Sequence, residues 1–379
     1  MADRRRTRPS FANAWFFPGA AVYGAFSISA WVMAWTGYID CLPGLCTPTG
    51  HAHEMLFGYA LAVVAGFLLG PQPILVTVAL FLLWLGARVA FIGWPGSWPA
   101  VILVAVFALG VALKVIPRFA HSAKKWRNRS LVWIVAGLVT ASVIATLRYA
   151  DRPMVDGAHM ASLTLLAALM FFMGGRIIAP AVGGYITRQG GHLDARVQPA
   201  LEGGVLLSLL GALVGTAAGS TFPVRFTGTM LVVAAILAAI RLARWQLWLC
   251  GRRPDLLLLA LGYGWLVVGI GLLGLASFGI LPRPVAVHSL TIGALGTLTI
   301  VVMARTRLLY RFRDANVAPL AHFAALLMSG SALARIAWSG NIAPFGVDLL
   351  LVSGGLWALS CLLLLFPLLA TLRTQASPV

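Results

Sequence analysis

Three histidines in this chain stand where an imidazole can hold a metal. His53, His159 and His288 each lie close to the start of a long apolar run. Imidazole is the commonest metal ligand among side chains. His53 sits in Gly50-His-Ala-His-Glu-Met-Leu-Phe-Gly58, with His51 two residues before it and Glu54 directly after. On a helix a spacing of two turns side chains about 200° apart. His51 and His53 therefore serve one ligand together only if His51 belongs to the preceding loop; otherwise His51 is a solvated or capping side chain. Glu54 can neutralise the positive end of the helix, orient an imidazole or move protons. His288 follows Pro282 and Pro284 just inside an apolar run, and an ionisable group at such depth faces a cavity or a partner. His121, His192 and His322 read as polar groups at a membrane surface.

Two arginines form the second group. Arg88 and Arg335 lie inside apolar runs, in Leu-Gly-Ala-Arg88-Val-Ala and Ala-Leu-Ala-Arg335-Ile-Ala. Such guanidinium groups either snorkel outward or hold anions, and arginine grips carboxylates bidentately. The propionates of a haem are anions of this kind.

The elements that must position these residues are membrane helices. The chain has 379 residues, 60% of them hydrophobic and 10% charged, with a mean hydropathy of +0.92. Soluble domains carry about 25% charge, and a bilayer core needs about 20 apolar residues per helix. Twelve such segments are expected, at 14–37, 53–70, 73–92, 98–117, 130–150, 156–178, 201–221, 223–245, 255–280, 284–304, 317–339 and 346–371. This gives an all-α membrane protein with a basic N-terminus at 1–13, one transmembrane domain at 14–371 and a short tail at 372–379. The break between helices seven and eight rests on Ser220-Thr-Phe-Pro223 alone.

The net charge of +18 is spread between apolar segments rather than gathered in one patch, which argues against nucleic acid. With the N-terminus in the cytoplasm, 22 lysines and arginines fall on the cytoplasmic side. Arg148, Arg152, Arg225 and Arg283 fall outside, and Arg88 and Arg335 lie within helices. The positive-inside rule then places both termini in the cytoplasm and Gly50 outside. The basic N-terminus precedes a long run without a small-residue cleavage site, so it reads as an uncleaved first helix. Cys41 and Cys46 share one outer loop. They form a local disulfide, two free thiols or a thiolate metal site, while Cys250 and Cys361 are isolated.

The histidine helices suggest an internal repeat. His53, His159 and His288 open helices two, six and ten, and Arg176 and Arg305 each follow their histidine at the same distance. Asp194-Ala-Arg-Val-Gln-Pro199 matches Asp314-Ala-Asn-Val-Ala-Pro319, each opening the next helix with a proline in its first turn, and helix three is expected to open likewise at Pro73. Three four-helix units around a pseudo-threefold axis would bring the histidines to one depth, as a macrocycle with two axial imidazoles requires.

The segment His-Ala-His53-Glu-Met-Leu-Phe-Gly-Tyr-Ala-Leu-Ala-Val-Val-Ala-Gly-Phe-Leu-Leu resembles the NnrS family. So do Met-Gly-Gly-Arg176, His288-Ser-Leu-Thr-Ile-Gly-Ala-Leu-Gly-Thr-Leu-Thr and Met303-Ala-Arg305-Thr. The resemblance runs over most of the chain in order. It implies a bacterial inner-membrane protein with haem b and copper that protects against nitric oxide and nitrosative stress. It also implies a distant likeness to the catalytic subunit of haem–copper oxidases. In that larger family, helices two and ten supply the axial imidazoles of a haem, and helix six supplies a ligand of the second metal. The departures are that helix ten has only His288 and helix seven has no histidine, so the usual binuclear centre cannot be built.

The resulting expectation is a haem toward the periplasmic side with His53 (or His51) and His288 as axial ligands. Arg88 and Arg335 would hold propionates, and His159 with His51 would form a copper or second-metal group. Nitric oxide would be the ligand, and a quinol or a partner protein the electron source. The alternatives are a secondary transporter for a metal, haem or small anion and an assembly factor without a cofactor.

Overall fold

The computed structural model describes residues 9–122, 126–149, 157–218, 223–341 and 348–373. The turn signal at Ser220 to Phe222, the charges at Arg4, Arg5, Arg6, Arg8, Lys124, Lys125 and Arg152, and the last six residues lie outside the described residues.

Among the described residues, twelve helices are long and apolar enough to cross a membrane. They are α1 Asn13–Trp35, α2 Pro48–Leu68, α3 Ile74–Gly93, α4 Trp98–His121, α5 Arg129–Tyr149, α6 Gly157–Arg188, α7 Asp194–Ala217, α8 Val224–Ala243, α9 Pro254–Ser277, α10 Arg283–Phe312, α11 Pro319–Ser339 and α12 Leu349–Leu372. The chain is a multi-span, all-α membrane protein. A small departure from all-α is an antiparallel pair, β1 Pro9–Phe11 and β2 Pro71–Pro73, with Pro9 opposite Pro73. It ties the N-terminal segment to the turn between α2 and α3. Gly70 in that turn has φ +63, where a side chain is strained, and an added Cβ would also meet the Arg118 guanidinium. Arg118 donates to the carbonyls of Leu68 and Leu69 and so caps the end of α2.

Two boundaries differ from the sequence expectation in ways that matter for the site. Helix α2 starts at Pro48, five residues early. The Thr47 hydroxyl accepts from the Gly50 amide at 3.0 Å and Pro48 takes the first helical position, a complete N-terminal signal. His51 is therefore helical and not a loop residue. Pro73, expected in the first turn of α3, is instead the extended residue before it and belongs to β2. Pro199 and Pro319 do open their α-helical segments as expected.

The chain divides into two compact units. The first comprises residues 1–162, 306–311 and 361–379, and the second residues 163–305 and 312–360. This division does not coincide with three blocks of four helices, since it cuts α6, α10 and α12. In the first unit α1 packs on α2, α3 on α4, and α4 on α5. In the second, α7, α8, α9, α10 and α11 pack successively.

Candidate functional site

In the first unit, α2 is not a uniform α-helix. Its α-helical first segment, Pro48–His53, gives way to a π-helical stretch, Glu54–Ala60, before α-helix resumes at Leu61. Such widened turns are frequent at functional sites. Gly58 lies inside it. A Cβ there would come within 2.7 Å of the Tyr23 ring and 3.1 Å of the Arg88 guanidinium, so only glycine admits both neighbours. The Gly58 carbonyl accepts from the Trp84 indole at 2.9 Å, which helps satisfy the irregular backbone.

Glu54, at the start of the π-helical stretch, is wholly buried. Its Oε2 accepts from the Tyr23 hydroxyl of α1. Its Oε1 accepts from Arg88 Nη1 of α3 at 2.5 Å and pairs with His53 Nδ1 at 3.0 Å. A buried carboxylate needs such partners to remain charged. Arg88, 1% exposed, keeps two further donors, Nε and Nη2, that are buried and meet no acceptor among the described residues.

His53 is also wholly buried. Its ring stacks on Phe91 of α3, with centroids 3.7 Å apart and planes 5° from parallel. Its Nε2 lies 2.8 Å from the Thr146 hydroxyl of α5. That hydroxyl also donates to the Ser142 carbonyl at 2.7 Å, so one proton serves two acceptor positions when His53 Nδ1–H faces Glu54. The carboxylate fixes the ring orientation, as second-layer acids do for ligating histidines. His51 points elsewhere, stacking on Trp31 at 4.9 Å. His159 is buried near Phe57, whose ring lies 6.2 Å from it.

The second unit carries a matching stretch. Helix α10 opens with α-helical Arg283–His288 and passes into π-helical Ser289–Gly296 before α-helix resumes at Thr297. His288 Nδ1 lies 2.7 Å from the Pro284 carbonyl. Since a carbonyl only accepts, Nδ1 carries the proton and Nε2 the lone pair. Arg335 lies on α11, which packs against the α-helical start of α10 that ends at His288. It donates to Ser339 and lies over the Trp338 ring at 4.5 Å.

No group of three or more His, Cys, Asp or Glu side chains is placed to hold a metal among the described residues. His51 and His159 are not part of such a group among the described residues. Cys41 and Cys46 are joined as a disulfide, one of the three states the sequence left open. The sequence missed Tyr23, Trp84, Phe91 and Thr146, which complete the surroundings of His53 and Glu54. It also missed a second buried pair in the other unit. Arg241, counted among the cytoplasmic-side charges, is 4% exposed, bonds Glu202 at 2.8 Å and lies over Phe171 at 4.6 Å. Arg305, expected to match Arg176, bonds Asp255, whereas Arg176 lies over the Phe172 ring.

No curated protein matches the chain. The model of one family, described as NnrS protein, matches residues 12–375, nearly its whole length. A twelve-helix chain with this match, and with its histidine helices built as above, belongs to the NnrS family.

Proposed function

We propose that this protein is a haem-binding protein of the bacterial inner membrane, protecting the cell against nitric oxide and nitrosative stress. Membership of the NnrS family suggests a role in the nitric oxide response, and the match over residues 12–375 is the observation that carries this reading.

The residues present fit a haem in two respects. His288 has its Nδ1 committed to the Pro284 carbonyl, which leaves Nε2 as a metal-type nitrogen. Arg88 holds two buried donors that meet no acceptor among the described residues, as a guanidinium facing a carboxylate would before that carboxylate arrives. His53 Nε2 is covered by the Thr146 oxygen at 2.8 Å, so His53 serves as a second axial candidate only with that side chain moved aside.

When bound, a haem would supply an iron that binds nitric oxide or passes an electron. The chain's own residues do the rest. Glu54 holds the His53 ring and keeps Nδ1 protonated. Phe91 blocks one face of that ring, and Arg88 and Arg335 are the candidates for propionates. Among the described residues no group of three His, Cys, Asp or Glu side chains stands ready for copper at His51 or His159. The charge bias supports termini in the cytoplasm and the histidine ends toward the periplasm. A quinol or a partner protein would deliver any electrons.

The test is the absorption spectrum and iron content of protein purified from haem-replete cells. A Soret band is expected, lost or displaced in His288→Ala and His53→Ala. A colourless, iron-free preparation that melts cooperatively would end the haem reading.

A further inference from the structure

The stretches that follow His53 and His288 share one backbone pattern in the same register. Each histidine ends a six-residue α-helical segment and is followed directly by a π-helical one. Five residues on stands a glycine against an aromatic ring of the first helix packed beside it. A Cβ on Gly58 would come within 2.7 Å of Tyr23, and one on Gly293 within 2.6 Å of Trp265. Two residues past the histidine, Met55 meets Ser27, with Sδ and Oγ 3.6 Å apart, and Leu290 meets Gly269, whose Cβ would lie 2.8 Å from its Cα. Ser27 and Gly269 each lie one turn past the aromatic, so the register is the same on both helices. In each unit the following helix carries the arginine, Arg88 or Arg335.

This register fixes what replaces Glu54. The residue after His288 is Ser289, wholly buried, with its hydroxyl donating to the Val285 carbonyl at 2.8 Å. Trp265 stands in the place of Tyr23 and donates to Ser329 at 3.2 Å rather than to a carboxylate. Among the described residues, no carboxylate pairs with Arg335, whose partners are a hydroxyl and an indole face. The first unit thus supplies its own anion between histidine and arginine. The second keeps the histidine, the arginine and the widened turn, and has a hydroxyl where the anion would be.

We propose that His288, Ser289 and Arg335 form a binding site for a carboxylate or similar oxyanion, which takes the place that Glu54 takes in the first unit. A guanidinium within an apolar span is stabilised by such a partner. A serine side chain is shorter than that of Glu54 by a carboxyl group and one methylene, and its hydroxyl, now on the Val285 carbonyl, is a donor that an anion would compete for. The anion is either a free small anion or the carboxylate of a bound cofactor. Only the latter case rests on the haem reading above.

The experiment uses the full-length protein purified in detergent, with sodium formate as probe at constant ionic strength. Melting midpoint and haem per chain are read in wild type, Arg335→Gln, Arg335→Lys, Ser289→Glu and Glu54→Ser. If a free anion fills the site, formate raises the wild-type midpoint saturably. Arg335→Gln and Ser289→Glu lose the response, the latter because it carries its own carboxylate. If a cofactor carboxylate fills it, wild type ignores formate. Haem affinity then falls roughly tenfold in Arg335→Gln and Ser289→Glu, the loss of one charge-assisted hydrogen bond. In either case Glu54→Ser, remade on the pattern of the second unit, gains a formate response at Arg88. Should Arg335→Gln fail to fold, Arg335→Lys keeps the charge and reads a weakened response. Folded variants that match wild type in both formate response and haem content overturn the proposal. So does a haem-free wild type indifferent to formate. A haem-free protein that responds to formate through Arg335 sustains it while ending the haem reading.

Discussion

Replacing Glu54 by Gln keeps the size of the side chain and removes its charge. Glu54 is 0% exposed and takes three hydrogen bonds, from Tyr23, Arg88 and His53. The amide has one accepting oxygen: placed toward Arg88 and His53 it leaves its NH₂ facing the Tyr23 hydroxyl, which loses its acceptor and has to turn to accept instead. Loss of a neutral hydrogen bond in a buried place costs about 1–3 kcal/mol. The larger effect is on Arg88, whose Nε and Nη2 already meet no acceptor among the described residues. Removing one partner of a buried ion pair costs about 3–5 kcal/mol, because the other charge stays buried alone. The expected destabilisation is therefore in that upper range, roughly 10² to a few times 10³ in the folded-to-unfolded ratio. Removing both charges together, in Glu54→Gln with Arg88→Met, is expected to recover most of the loss. Reversible unfolding of the purified protein in mixed micelles, followed by tryptophan fluorescence, measures all four species of the cycle. Trp84, hydrogen-bonded to the Gly58 carbonyl, is a local reporter. A cost for Glu54→Gln below about 1 kcal/mol, as for an exposed pair, would refute the reasoning. So would a double variant as unstable as the sum of the two single ones.

Thr146→Val removes the hydroxyl facing His53 Nε2 and is expected to cost about 1–3 kcal/mol in the same unfolding assay. Gly58→Ala and Gly293→Ala push a methyl into the Tyr23 and Trp265 rings, and each is expected to lose about 1–3 kcal/mol through overpacking. Similar losses at both positions, measured by thermal melting, would agree with the shared register. Thiol labelling of unreduced folded protein is expected to be slow, since Cys41 and Cys46 are paired and Cys250 and Cys361 are buried. Burial pushes the Cys250 thiol above its ordinary range, so less thiolate is present at neutral pH and labelling should quicken as pH rises. Reduction should expose two more thiols, counted by mass spectrometry, at a stability cost of about 2 kcal/mol for so short a loop.

The twelve spans were legible because apolar length is a local property, readable one segment at a time. So were the histidines that head α2 and α10, since an imidazole in an apolar run stands out. What surrounds His53 was not legible. Tyr23, Arg88, Phe91 and Thr146 come from three other helices, and no local pattern states that they meet. Arg88 was singled out as an anion binder, but the acid it binds, Glu54, lies 34 positions earlier in the chain. Arg241 shows the converse error. Charge counting treats every arginine near a helix end alike, while Gln198, Glu202 and Phe171 bury this one. The start of α2 was available and overlooked: Thr47 before Pro48 is a cap followed by the residue favoured at the first helical position. The π-helical turns leave a fainter trace, a glycine at the same distance from His53 and from His288, and nothing local in the sequence says that a widened turn forms around it.

That trace bears on what the two turns are for. A π-helical stretch gives up regular α-helical bonding over seven or eight residues and persists where the surroundings hold it. Were packing the whole cause, the side chains filling the two turns should resemble each other. They do not: Tyr23 is replaced by Trp265, Met55 by Leu290, Ser27 by Gly269 and Glu54 by Ser289. What the two turns share is the imidazole at the junction, the glycine that lets an aromatic ring approach, and the arginine on the next helix. Two different sets of packing residues thus hold one backbone shape around one polar motif. The shape is better explained by the position it gives the imidazole than by the fit of its neighbours. On that view the difference between Glu54 and Ser289 is a division of labour: one turn is closed by its own carboxylate, and the other is left open to an acid that the chain does not supply.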